Sequence, residues 1–265
     1  MAFDLASITT NQQGPPRIVI YGVPGIGKTT LAAYAPKPVF LCTEEGLSDL
    51  PVARFPAVTN YHEAFSAVHQ LATHPHEYGT LVIDTIDALE PMIFRFVCEQ
   101  GGKQSISEFG WSKGFQRAAE VINSFLAVVD RCRAQGMAVV MIAHSEVSRF
   151  EPPDADPYDR YAINLHRKAC RPAIERWADA ILFANYDVQV ISSKDSERRR
   201  AVGGKVKLLH TVEKPTFVAK NRYGMPPTIE IIDGDPAATW ATIESYLHPQ
   251  RAVAEPNTNG PLAQS

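Results

Sequence analysis

Gly22-Val23-Pro24-Gly25-Ile26-Gly27-Lys28-Thr29 has the residue types and spacing that hold phosphate groups. Successive backbone N–H groups in such a loop form an anion-binding concavity, and a following helix adds its dipole. Lys28 would reach the β- and γ-phosphates of a nucleotide, and the Thr29 hydroxyl would be a ligand of Mg²⁺. Thr30 completes the loop. Glycine at 22, 25 and 27 permits backbone angles and a close approach of phosphate that a Cβ would hinder.

The flanking segments place this loop where its chemistry requires. Arg17-Ile18-Val19-Ile20-Tyr21 is a β-branched run that reads as a buried strand. Residues 30–35 read as the first turns of a helix, stopped near Pro36 and Pro38. Residues 39–43 form a second apolar strand that runs into Glu44 and Glu45. The carboxyl edge of an open parallel sheet is where ligands bind. Thr80-Leu81-Val82-Ile83-Asp84 is an apolar strand ending in an acid. At this distance after the phosphate loop, Asp84 is expected to hold Mg²⁺ through water. Residues 137–143 read as a fully buried strand with His144 at its end. Helical spacing marks residues 61–72, 86–98, 115–132 and 165–179. The expected fold is therefore α/β, with a mostly parallel central sheet flanked by helices.

Beyond residue 179 the pattern changes to an antiparallel meander. Its strands are expected at 180–183, 188–192, 205–212, 217–219 and 228–232, with a charged tip from Lys194 to Arg200 and a closing helix at 237–247. The segmentation is an arm at 1–16, one core at 17–247 and a disordered tail at 248–265, which has almost no large apolar groups. Two polar excursions interrupt the core. The first is Gly-rich, from Gly101 to Gly114. The second, from Ser145 to Asn164, loses its apolar pattern and reads as one long functional loop.

The 265 residues are 45% hydrophobic, enough for a sizeable core. No apolar run approaches the roughly 18 residues of a membrane span, and the first residues lack the form of a secretory signal. Cys42, Cys98, Cys132 and Cys170 are far apart and form no C-x-x-C pair. They read as reduced packing residues, and the expected location is the cytoplasm. The formal net charge of −3 confines any nucleic-acid contact to a local patch or loops.

The order phosphate loop, Glu44, Asp84, His144, polar loop and then Lys220-Asn221-Arg222 resembles the RecA-like P-loop NTPase core. More closely it is similar to the small core-only RecA relatives of bacteriophages, which act in recombination and single-strand annealing. The resemblance covers residues 17–247. It implies ATP and Mg²⁺ as cofactors and hydrolysis of ATP between adjacent subunits, stimulated by DNA. It gives Glu44 the place of the base that orients the attacking water. His144 takes the place of a glutamine that senses the γ-phosphate. Lys220 and Arg222 resemble the two cations that reach the neighbouring subunit's ATP, with arginine replacing a lysine. Phosphoryl transfer needs such a set: a phosphate cradle, a metal carboxylate, a water-orienting group and cations. Phe3-Asp4-Leu5-Ala6 has the F-x-x-A form by which Rad-type recombinases dock onto their neighbours, so a homo-oligomer or filament is implied.

The two excursions match the positions of the DNA-binding loops in that core. The first offers Lys103, Trp111 and Lys113; the second offers Arg149, Phe150, Arg160, Tyr161, His166, Arg167 and Lys168. Cations that track phosphates and rings that stack on bases suit single-stranded DNA. The acidic Glu151, Asp154, Asp156 and Asp159 oppose laying the whole second loop on phosphate. A host single-strand binding protein is a further partner implied by the resemblance. Two other readings stay open. One is a different P-loop ATPase, such as a helicase loader or small-molecule kinase. The other is an annealing module that uses ATP mainly as a structural ligand.

Overall fold

Alternation along each central strand fixes two apolar layers. In the computed structural model, which describes residues 14–44, 50–192 and 199–247, β1 (Arg17–Gly22) sends Val19 and Tyr21 to one face and Ile18 and Ile20 to the other. Period-2 side-chain geometry requires this of a strand buried on both faces. The first face is covered by α2 (Tyr61–Thr73), α3 (Ile86–Gly101), α4 (Lys113–Ala134) and α5 (Cys170–Trp177). The second is covered by α1 (Lys28–Ala32) and α6 (Pro236–Leu247), through Leu31, Trp240 and Ile243.

Among the described residues the sheet has ten strands, eight of them in the order β10-β8-β7-β1-β5-β4-β2-β3. The parallel block comprises β7 (Ala180–Ser192), β1, β5 (Ala138–Phe150), β4 (Thr80–Asp84), β2 (Pro38–Cys42) and β3 (Ala53–Arg54). The antiparallel strands are β8 (Arg199–His210) and β10 (Thr228–Ile231), while β6 (Tyr158–Ile163) pairs with β5 and β9 (Lys220–Asn221) with β7. This is the expected mostly parallel sheet with antiparallel strands toward the C-terminus. The four cysteines are buried and free. No helix among the described residues is long and apolar enough to cross a membrane.

Several expectations are corrected. The stretch 145–164 is not a long loop. β5 continues through His144 to Phe150 and pairs antiparallel with β6, from Ser145 opposite Ile163 to Phe150 opposite Tyr158. This ribbon projects beyond the sheet, so most of its residues are not buried and the apolar signal fades. Only the Pro-rich residues 151–157 lie between its strands. α5 is shorter than expected and starts at Cys170, with Pro172 in its first turn, where proline is tolerated. The strands expected at 180–183 and 188–192 are one strand with an irregularity between Tyr186 and Val188. Residues 217–219 form only isolated bridges through Phe217. The segments 1–13, 45–49, 193–198 and 248–265 lie outside the described residues, and with them Phe3, Ala6, Glu45, most of the charged tip and the tail.

Candidate nucleotide site

The strand order builds the site. β5 lies between β1 and β4, so Gly22 is level with His144 on one side and Asp84 is level with Ile142 on the other. The phosphate loop, His144 and Asp84 therefore meet at one sheet edge. They line an open cavity of about 280 Å³ together with Gly25, Gly27, Lys28, Thr29, Thr30, Glu44 and Thr85.

The loop is shaped for an anion. Gly25 and Gly27 have φ of +74° and +104°, and a Cβ on either would meet nothing within 4 Å. Their place in the cavity lining is therefore an uncovered cradle. Gly22 has a different role: a Cβ there would come within 2.0 Å of the Ala184 carbonyl oxygen, so it is required for close packing of β1 on β7. α1 begins at Lys28, two residues earlier than its apolar run indicates. The Lys28 ammonium is buried and donates to the carbonyls of Gly22 and Val23, both at 3.0 Å. Burial lowers its pKa, against the opposing charges of Asp87, Asp84 and Glu44.

Thr29 donates its hydroxyl to Asp84 at 2.8 Å. Burial raises the Asp84 pKa and the Thr29 hydrogen bond lowers it, the net direction being upward. A hydroxyl and a carboxylate in contact are hard oxygen donors of the kind Mg²⁺ takes, so these two residues fit the expected cation. Thr85 caps α3, accepting from the Ala88 N–H, and donates to Glu44 Oε1. Thr43 in turn donates to the Thr85 carbonyl at 2.7 Å.

His144 is held by Asp87, which the sequence reading missed. The Asp87 carboxylate accepts the His144 backbone N–H at 3.0 Å and faces its Nδ1 at 2.9 Å. Ligand atoms of Glu44, Asp87 and His144 lie within 4.8 Å of one another. In sequence, Asp87 reads as a first-turn acid of a helix, a position that needs no ligand to explain it. Glu90, one turn on, was also missed. Its buried carboxylate accepts the His166 backbone N–H with both oxygens at 3.0 Å, and burial raises its pKa.

Lys220 and Arg222 do not join this chain's phosphate loop. β9 pairs with β7 at Ala180 and Ile181, and Ala180 is level with Ile18. This is about 13 Å along the sheet from Gly22, at ~3.3 Å per residue. There the Lys220 ammonium donates to carbonyls at the end of α5, those of Glu175 at 3.0 Å and Ala178 at 2.5 Å. Arg222 donates to Asp179 at 3.2 Å, beside the Arg17–Asp179 pair.

The DNA candidates divide. Lys103, Lys113, Arg167 and Lys168 are exposed, and Trp111 is 95% exposed with φ of +45°. The segments that follow the two excursions meet where the Phe115 ring stacks on His166, with centroids 3.9 Å apart and planes at 8°. Arg149 is paired with Asp159 and Arg160 with Glu213. Arg160 also lies over the Phe150 ring at 3.9 Å. Tyr161 is half-buried: its ring stacks on buried Phe183 at 5.1 Å, and its backbone bridges to Phe217. The side chains of Arg199 and Arg200 lie outside the described residues.

Residues 14–223 match the family model described as AAA domain. The SPbeta prophage-derived uncharacterized protein YorG of Bacillus subtilis (strain 168) is 28% identical over 137 residues. That match spans 48% of this chain and 40% of the prophage protein. Among solved structures, the flagellar accessory protein FlaH from Methanocaldococcus jannaschii aligns with 74% of this chain and 79% of its own, at 12% identity and a TM-score of 0.38. The chain belongs to the AAA domain family of P-loop NTPases.

Proposed function

We propose that this AAA-domain protein is an ATPase that binds single-stranded DNA and pairs or anneals strands, with ATP held between adjacent subunits. The observation that carries the DNA part is the meeting of the segments that follow the two excursions. Trp111, Lys113, Arg167 and Lys168 all lie within four residues of the Phe115–His166 stack and are exposed. An uncovered ring among cations suits single strands, since every base has a face to stack. The prophage origin of the YorG relative agrees with a phage recombination role.

For hydrolysis, Lys28 exchanges its two backbone carbonyls for phosphate oxygens. Mg²⁺, held by Thr29 and Asp84, would neutralise phosphate charge. Glu44, steadied by Thr85, orients a water for attack on the γ-phosphorus. His144 faces the same cavity. Lys220 and Arg222, at the far sheet edge, reach ATP only as a neighbour's cations, by exchanging the α5 carbonyls and Asp179 for its phosphates, and the assembly is then a homo-oligomer or filament. A host single-strand binding protein is a further partner in this reading.

The test is equilibrium binding of fluorescent single- and double-stranded oligonucleotides, with and without ATP. Preference for single strands, weakened by salt, supports the proposal. No affinity for single strands in any nucleotide state overturns its DNA part. The second reading, a P-loop ATPase acting elsewhere, draws on the intrachain pairing of Arg149 and Arg160, which removes two cations from the expected surface.

A further inference from the structure

We propose that Asp87 is a positioning residue for the phosphate pocket: its carboxylate fixes the His144 ring so that Nε2 faces the cavity. The inference deepens the ATPase reading above and rests on it.

Both Asp87 oxygens are engaged with the same residue. Oδ1 accepts the His144 backbone N–H at 3.0 Å, and Oδ2 lies 2.9 Å from Nδ1. The Asp87 side chain is 10% exposed and that of His144 31%. An ionised carboxylate can only accept, so Nδ1 carries the proton and Nε2 is left for the cavity, an acceptor toward water in the neutral ring and an N–H donor toward phosphate only in the imidazolium. The backbone contact fixes where the ring starts, and the Nδ1 contact fixes how it is turned. Two such bonds hold a ring that its own strand leaves partly uncovered.

The chain builds this economically. Asp84, Thr85 and Asp87 lie within four consecutive residues at the junction of β4 and α3. Asp84 accepts from Thr29, Thr85 donates to Glu44, and Asp87 holds His144. One junction therefore orients three separate groups around the cavity. The approach of Glu44, Asp87 and His144 within 4.8 Å follows from these bonds. A glutamine at 144 would carry its own N–H donors and need no acid to select one. A histidine has two unlike nitrogens, and the neighbouring acid selects between them.

The test uses full-length wild type, Asp87→Asn, His144→Gln and the double variant. Asp87→Asn is expected to lower kcat about tenfold or more through misplacement of the ring, with KM for ATP within about twofold, since the phosphate loop is untouched. In the His144→Gln background the same change is expected to shift kcat less than about twofold, because no ring remains to be turned. Equal losses in both backgrounds would make Asp87 merely structural and overturn the inference. Nitrogen-15 NMR of the wild-type histidines gives a readout independent of activity and of variant folding. The His144 signal is expected to show protonated Nδ1. An Nδ1 without a proton overturns the inference. Absence of ATP turnover in wild type would remove the ATPase reading instead, while the NMR result would still decide how the ring is held.

Discussion

The Thr29 hydroxyl donates to Asp84 across 2.8 Å, joining residues 55 positions apart in the chain. The contact exists because β5 separates β1 from β4 by one strand, which leaves the loop after β1 and the end of β4 at one edge. It places the two oxygen groups expected to hold Mg²⁺ side by side. His144, from the strand between them, faces the same space.

Replacing Asp84 by Asn keeps a similar shape but removes the anionic ligand. ATP turnover is expected to fall about a hundredfold or more, an effect of the size seen when one preorganised electrostatic contact is lost. Chelation of Mg²⁺ should abolish turnover in wild type. A magnesium titration of both proteins checks this, and unchanged turnover in the variant would remove Asp84 from the site.

Gly22→Ala tests packing rather than phosphate contact. The added Cβ meets a backbone oxygen at 2.0 Å, which cannot move as a flexible side chain would. The expected cost is about 1–3 kcal/mol, the range for overpacking, read from denaturant unfolding. Because the strained junction opens the phosphate loop, weakened ATP binding should accompany it.

Asp179 gives the fold a dependence on acid. Burial alone would raise its pKa, but the hydrogen bonds and charge of Arg17 outweigh this and hold it below the usual carboxylate value. The folded pKa is thus below the unfolded one. The stabilisation is complete above the unfolded pKa, near 4, and is lost as pH falls through the lower folded value. Asp179→Asn should destabilise the protein at neutral pH by about 1.5–3 kcal/mol, as for hydrogen bonds to charged groups. Its melting temperature should also fall less steeply than that of wild type below pH 4. Parallel curves would contradict the assignment.

Trp111→Ala and Arg167→Glu should each weaken single-strand binding while leaving ATP turnover without DNA unchanged. Loss of a stacking ring is expected to cost about 1–3 kcal/mol. Arg167→Glu should also reduce the salt dependence of binding. Oligonucleotide titrations at two salt concentrations measure both effects.

The proposed holding of ATP between subunits predicts complementation. Lys28→Ala and Arg222→Ala subunits should each be inactive alone. Mixed one to one, they should recover about a quarter of wild-type turnover, as random neighbours in a head-to-tail assembly would. No recovery, with both proteins folded by thermal melting, would argue against a neighbour's cation at Arg222.

The phosphate loop, the Asp84 strand and the central helices were legible in the sequence, because buried strands and amphipathic helices follow strict apolar periods. The 145–163 ribbon was not, since a hairpin that leaves the sheet buries little and loses that period. Asp87 and Glu90 were illegible for another reason. Each acts on a backbone N–H far along the chain, and nothing local in a helical acid announces its acceptor. Lys220 was visible as a cation, whereas its role as a cap on α5 depends on how β9 packs.

The central claim is met most directly by measuring ATP turnover of wild type and Lys28→Ala with and without single-stranded DNA. The account predicts turnover in wild type that rises with single strands and vanishes in the variant. Turnover indifferent to single strands, or undiminished in Lys28→Ala, would contradict it.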